Sequence, residues 1–154
     1  MLATSRLISR VEGYDISNIG GKHAVGSMVV FKNGAPNKNE YRRFKIRYSG
    51  DEPNDPKMMH EIMSRRMKHA EWQKPDLIII DGGKGQLSAA RAVLPANQLV
   101  FAIAKREEEI YTPSSARPLP SSRLGNECAL FIQRVRDEAH RFAVSYHRKV
   151  RSKE

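Results

Sequence analysis

"PDLIIIDGGKGQL", Pro75 to Leu87, is the stretch from which the fold is read. Leu77 to Ile80 are apolar without interruption, so neither face of this segment is polar, as in a central parallel strand covered by helices on both sides. Asp81 ends the run, Gly82 and Gly83 turn the chain, and a helix is expected from about Leu87 to Val93. A further strand, Leu99 to Ala104, follows. In open α/β sheets functional groups collect where loops leave the carboxyl ends of such strands. Asp81 holds that position. Taken alone, it fits a turn-initiating aspartate before Gly-Gly equally well.

Upstream, Arg10 to Ile16, Ala24 to Lys32 and Glu40 to Tyr48 have the pattern of strands, separated by the turn-rich segments "SNIGGKH" and "NGAPNKN". Connections this short imply an antiparallel meander. In the third strand Phe44, Ile46 and Tyr48 alternate with Arg43, Lys45 and Arg47, so its outer face is cationic. A helix is expected in "NDPKMMHEIMSRRMKHA", with Asn54 or Asp55 as cap, Pro56 in the first turn, and Met59, Ile62, Met63 and Met67 as a core-packing stripe. "TPSSARPLPSSRLG", Thr112 to Gly125, reads as one long loop. The last helix, from about Asn126 to His147, presents Phe131, Val135, Ala139, Phe142, Ala143 and Tyr146 at helical spacing, continued by Val150. The order is β-β-β-α-β-α-β-loop-α. It predicts an α/β mixed sheet, three antiparallel strands followed by parallel βα units, with helices on both faces, and it resembles the ribonuclease H-like fold.

The 154 residues, 40% of them hydrophobic, suit a single domain with a real core, residues 1–9 and 150–154 being expected as flexible ends. Twenty-seven Lys and Arg against 17 Asp and Glu give a formal charge of +10, which favours a polyanionic partner, nucleic acid first. The single cysteine, Cys128, excludes an internal disulfide framework, suits a reducing cytosol and is read as a small buried residue. No apolar run approaches the roughly 18 residues of a membrane span, and the N-terminus has no continuous apolar signal region. A soluble, cytoplasmic monomer is expected.

Asp15, in "VEGYDISN", ends the first strand, which this fold places beside the first parallel strand. Two carboxylates at adjacent strand ends repel each other in a low dielectric unless a cation lies between them, so Asp15 and Asp81 together ask for a divalent metal. At about 100° per residue, His140 lies on the shoulder of the last helix, about 120° from the centre of its apolar stripe. That excludes a core histidine and leaves a solvated or a functional one; His147, near the same meridian, is its natural control. His23, His60 and His69 receive no role. Capping fully explains Asp55 before Pro56. Asp51 and Glu52 lie in the same polar loop, and Asp76, Asp137 and Glu138 are expected to be solvated or salt-bridged. "DGGKGQL" lacks the spacing of a nucleotide-binding P-loop, but glycines at a helix start, with Lys84, can hold one backbone phosphate. Lys84, Arg43, Lys45, Arg47, Arg134 and the cations of the "HRKVRSK" tail form a candidate phosphate-binding set.

The segments "VEGYDISNIGGKHAVGSMVVFKNG", "YRRFKI", "MMHEIMSRRM", "PDLIIIDGGKGQLSAA", "VFAIAKREEEIY" and "FIQRVRDEAHRFAVSYHRK" are, in this order, similar to the carboxy-terminal endonuclease domain of the UvrC family, the incision subunit of bacterial nucleotide excision repair. The resemblance runs from about Val11 to Lys149. It implies a ribonuclease H-like nuclease that cuts the damaged strand on the 5′ side of a lesion, with Mg²⁺ or Mn²⁺ at Asp15 and Asp81, an active-site histidine at His140 and a looser match for a further acid at Asp55. Mg²⁺ prefers oxygen ligands, so His140 is a ligand favouring Mn²⁺ or else a general base or orienting group. Damaged duplex DNA and a UvrB-type repair partner are implied, the latter through segments this sequence does not contain: the GIY-YIG nuclease, the UvrB-contacting segment and the tandem helix-hairpin-helix module. The sequence is an excised domain or a short relative. It departs from the family at Asn18, where many members carry histidine, and in "SSRLGNECA", which is longer than usual. Two other classes remain open: a non-catalytic nucleic-acid-binding domain, and an interaction module of a repair complex.

Overall fold

Leu77, Ile78, Ile79 and Ile80 are each at most 1% exposed, so the apolar run is buried on both faces of a central strand. The computed structural model describes residues 8–19, 23–47, 55–104, 109–113, 117, 119–120 and 125–152. Outside them lie the expectations for residues 1–7, Tyr48, Asp51, Glu52, Asn54, the turn at 20–22, most of the loop at 114–124, and Lys153; the side chains of Asn18, His23, His147 and Val150 are outside as well.

The chain order is β1 (Arg10–Ile19), β2 (His23–Lys32), β3 (Ala35–Pro36), a 3-10 turn (Lys38–Glu40), β4 (Arg42–Lys45), α1 (Asp55–Met67), β5 (Leu77–Asp81), α2 (Lys84–Arg91), β6 (Val100–Ile103), β7 (Glu109–Tyr111), β8 (Leu119–Pro120) and α3 (Asn126–Ser152). One sheet runs β3-β2-β1-β5-β6-β7-β8, with β4 also pairing β2. β1–β2 and β2–β4 are antiparallel, while β1–β5 and β5–β6 are parallel, the expected mixed arrangement.

Two glycines show which helix covers which face. A Cβ on Gly13 of β1 would lie 2.5 Å from Val135 Cγ1 of α3, and one on Gly26 of β2 would lie 2.8 Å from Ile62 Cγ2 of α1. Gly13 pairs with Val29 and Gly26 with Ile16, so the two glycines point to opposite faces. α3 therefore covers the face of Gly13 and Asp15, and α1 covers the face of Tyr14 and Ile16. Gly13→Ala is expected to lower stability by about 1–3 kcal/mol, because α3 must lift to admit one methyl group. Urea denaturation measures it; an unchanged midpoint would mean that α3 does not press on β1.

Four local expectations are corrected. The third strand is shorter than 40–48, because Glu40 is drawn into the 3-10 turn by Arg10 Nη1 at 2.6 Å, Asn37 Nδ2 at 2.6 Å and Lys32 Nζ at 2.7 Å. α2 starts three positions before Leu87, because its first turn is polar and held by Gln86, whose Oε1 accepts the Gly83 N–H at 3.2 Å. Apolar periodicity cannot mark such a turn. The stretch read as a loop contributes β8, and β7 precedes it with Ile110 fully buried. α3 extends to Ser152, and its inward face also includes Ile132, at 1% exposed, while Phe131 and Phe142 pack half-buried against the core. Cys128 is half-buried, and burial pushes its thiol pKa up.

Candidate active site

Tyr14 pairs with Ile80 in the parallel β1–β5 ladder, so the next residues, Asp15 and Asp81, stand side by side where that pairing ends, Asp81 as the last residue of β5 and Asp15 midway along β1, which continues to Ile19 beside β2. Gly13 pairs with Ile79, which puts both carboxylates on the face that α3 covers. They are 2% and 8% exposed. α3 runs over this edge and brings His140 Nδ1 to 3.5 Å from Asp15 Oδ2, with the imidazole 57% exposed. Asp15, Asp81 and His140 each offer one ligand atom, and these atoms lie within 4.8 Å of one another. Two buried anions and an imidazole in that compass are a donor set suited to a divalent cation, whose charge removes the repulsion between the carboxylates.

Asp55 is exposed at the first position of α1. It shares a cavity of about 290 Å³ with Asp15, Asp81 and Gln86 but is outside the three-residue donor cluster. Gly82 lets Gln86 fold back over the turn, since a Cβ there would lie 2.7 Å from Gln86 Cδ. Lys84 is exposed at the start of α2, beside the same cavity.

The other cations differ in their surroundings. Lys45 and Arg47 are exposed, with the Arg47 N–H donating to Glu61 Oε2 at 2.7 Å. Arg134 is exposed on α3 with its guanidinium 5.7 Å from the Phe31 ring centroid. Arg43 is half-buried: its Nη2 donates to Phe142 O at 3.1 Å and Ser145 Oγ at 3.2 Å, and its guanidinium lies 3.7 Å from the Phe142 ring centroid. It fastens β4 to α3 just beyond His140. A second fastening lies just before it, where Tyr41 Oη donates to Glu138 Oε2 at 2.7 Å and Arg141 Nε to Glu138 Oε1 at 2.6 Å. The Arg141 hydrogen bond holds the Glu138 carboxyl below the usual range, and burial pushes the Tyr41 phenol well up.

Sequence reasoning missed three polar groups around the site: Gln86; Ser27, the cross-strand neighbour of Asp15; and Glu12, buried on the opposite face of β1. For Glu12 the available signal was the Arg10-x-Glu12-x-Tyr14 alternation, which puts all three on one strand face.

A mixed sheet with neighbouring acids on its first and central strands where their parallel pairing ends, closed by a histidine from its last helix, defines a ribonuclease H-like domain. The model of the UvrC RNase H endonuclease domain matches residues 1–144. The chain belongs to that family. It is 50% identical over 148 residues to UvrABC system protein C of Dictyoglomus thermophilum, a match covering 93% of this chain and 24% of that protein. It is 50% identical over 151 residues to UvrABC system protein C of Methanococcus maripaludis, covering 94% and 28%. The chain thus spans about a quarter of the length of these relatives. Among solved structures, an endonuclease V of Ciona intestinalis in complex with an inosine-containing DNA is 17% identical with a TM-score of 0.47, covering 64% of this chain and 46% of that one. A likeness at that level carries no functional weight.

Proposed function

We propose that the chain is a divalent-cation-dependent endodeoxyribonuclease domain that hydrolyses a phosphodiester on the 5′ side of a lesion in nucleotide excision repair. The convergence of Asp15, Asp81 and His140 on one sheet edge is the observation that carries this reading. Asp15 and Asp81 hold Mg²⁺ or Mn²⁺, and the nitrogen donor of His140 favours Mn²⁺. When bound, the cation supplies charge neutralisation at a phosphate oxygen and activation of water. Water attacks in line with the departing 3′ oxygen, leaving 3′-hydroxyl and 5′-phosphate ends. Asp55, exposed at the cavity, orients water from the side opposite α3.

Lys84, Lys45, Arg47 and Arg134 neutralise backbone phosphates without reading bases. Arg43 adds charge to the same face while anchoring α3. The face of β4 that carries Lys45 is that of Asp15, since Ser27 pairs with both Asp15 and Arg43. Among the described residues no helix is long and apolar enough to cross a membrane. We place the domain in the cytoplasm, as a monomer that meets damaged duplex DNA together with a UvrB-type partner.

Nicking of supercoiled plasmid in Mn²⁺, Mg²⁺ or EDTA tests the reading. Nicking is expected with either cation and not with EDTA. His140→Ala should lower it by roughly 10²-fold or more, the usual weight of a positioned acid–base or ligand group, while His147→Ala leaves it unchanged. A folded, cation-binding chain that never nicks DNA would instead be an interaction module of a repair complex.

A further inference from the structure

Ser27 of β2 is the direct cross-strand partner of Asp15 on β1 and of Arg43 on β4. Directly opposed residues of an antiparallel ladder share a face, with Cβ atoms about 4.5–5.5 Å apart. Asp81, Asp15, Ser27 and Arg43 therefore form one row across β5, β1, β2 and β4, on the face covered by α3. Ser27 is 0% exposed, and its hydroxyl has no hydrogen-bond partner. The neighbouring Nε of Arg43 is likewise buried and unpartnered, while Nη2 of the same guanidinium is held by Phe142 O and Ser145 Oγ. A buried polar atom without a partner costs stability, and two of them on adjacent residues call for a reason.

We propose that Ser27 is a positioning residue for Asp15: when Asp15, Asp81 and His140 share a divalent cation, its hydroxyl turns to donate to the Asp15 carboxylate and to accept from Arg43 Nε, aiming that carboxylate at the cation. A hydroxyl carries one donor and two acceptor sites, so Ser27 has the capacity for both bonds at once. The row then joins Asp15 to the residue that clasps α3 two positions beyond His140. Two ligands from separate elements are set by one relay. The inference rests on Asp15 being a cation ligand, as proposed above.

Ser27→Ala removes the hydroxyl and adds no volume. Mn²⁺ affinity of the whole chain, measured by calorimetric titration, is read beside thermal unfolding without metal. The expected result is a metal-free Tm that is unchanged or higher, because an unpaired buried hydroxyl has gone, and a Mn²⁺ Kd about tenfold weaker, the usual effect of losing a group that orients a ligand. An unchanged Kd overturns the proposal. So does weaker binding accompanied by a lower metal-free Tm, since that is plain packing. If Ser27→Ala does not fold, Ser27→Cys, similar in size but a weak donor, is read by the same criteria. Failure of wild type itself to bind Mn²⁺, with Asp15→Asn indistinguishable from it, overturns the cation reading of the whole site; a bound wild type with an unaffected Ser27→Ala removes only Ser27.

Discussion

Asp81→Asn is expected to lower cation-dependent nicking by about a thousandfold while leaving the fold standing. The substitution keeps the shape of a side chain that is 8% exposed, at a position whose ladder partner is Ile103. What it removes is charge. A bound cation contributes several kcal/mol to stabilising charge in the transition state, and each 1.36 kcal/mol is tenfold in rate, so loss of a carboxylate ligand is worth roughly three orders of magnitude. The metal-free chain should be as stable as wild type or more so, because Asp15 and Asp81 repel each other when no cation separates them. Asp15→Asn should behave alike, and the double variant should be little worse than either, since the two act on one cation. Nicking by Asp81→Asn at the wild-type rate, under conditions where EDTA stops wild type, would remove Asp81 from the chemistry.

Asp81 was legible because its place follows from the strand itself: four buried residues, a carboxylate and two glycines admit few other architectures. Asp15 was legible through topology, as the residue where the first strand leaves β5, although the strand itself runs on past the expected Ile16 to Ile19 beside β2. The helical phase of α3 put His140 outside the core, and only the family resemblance pointed to it as a site residue. Short edge elements were not legible, because β7 and β8, of three and two residues, are too brief to show alternation, and Pro120 in β8 argues against a strand until an edge position is known. Burial of charge was not legible either. Arg43 sits in a strand with cationic alternation, and only the path of α3 across that face shows that its guanidinium is engaged by Phe142 and Ser145. Ser27 in "AVGSMVVF" looks like an ordinary strand serine until the ladder sets it beside Asp15.

Arg66→Met is expected to destabilise the chain by about 3–5 kcal/mol, the cost of breaking a buried ion pair by removing one of its members. Glu12, 0% exposed, accepts from Arg66 Nε at 2.9 Å and Nη2 at 2.8 Å, from Arg10 Nε at 3.0 Å and from Tyr14 Oη at 2.6 Å. Arg66 Nη2 also donates to Gln73 O at 2.8 Å, tying the end of α1 to the segment that leads into β5. Burial, and then the Glu12 charge beside it, raises the Tyr14 phenol pKa well above its ordinary value, so Tyr14 remains a donor across the working pH range. Removing Arg66 leaves the buried Glu12 with two of its three side-chain partners, Arg10 and Tyr14. A domain of this size has about 5–15 kcal/mol of stability, so the loss is a large fraction of the whole. Replacing Glu12 and Arg66 together by apolar residues should recover only part of it, because their own desolvation cost disappears while the buried Arg10 and Tyr14 lose the Glu12 acceptor. Glu12 and Asp15 lie on opposite faces of β1, so the Mn²⁺ affinity of the folded fraction should stay at the wild-type value. Urea denaturation read beside Mn²⁺ titration separates the two faces. A fall in affinity among molecules that remain folded would mean that the α1 face and the α3 face of β1 do not act independently, and that Glu12 helps to set the position of Asp15 through the strand.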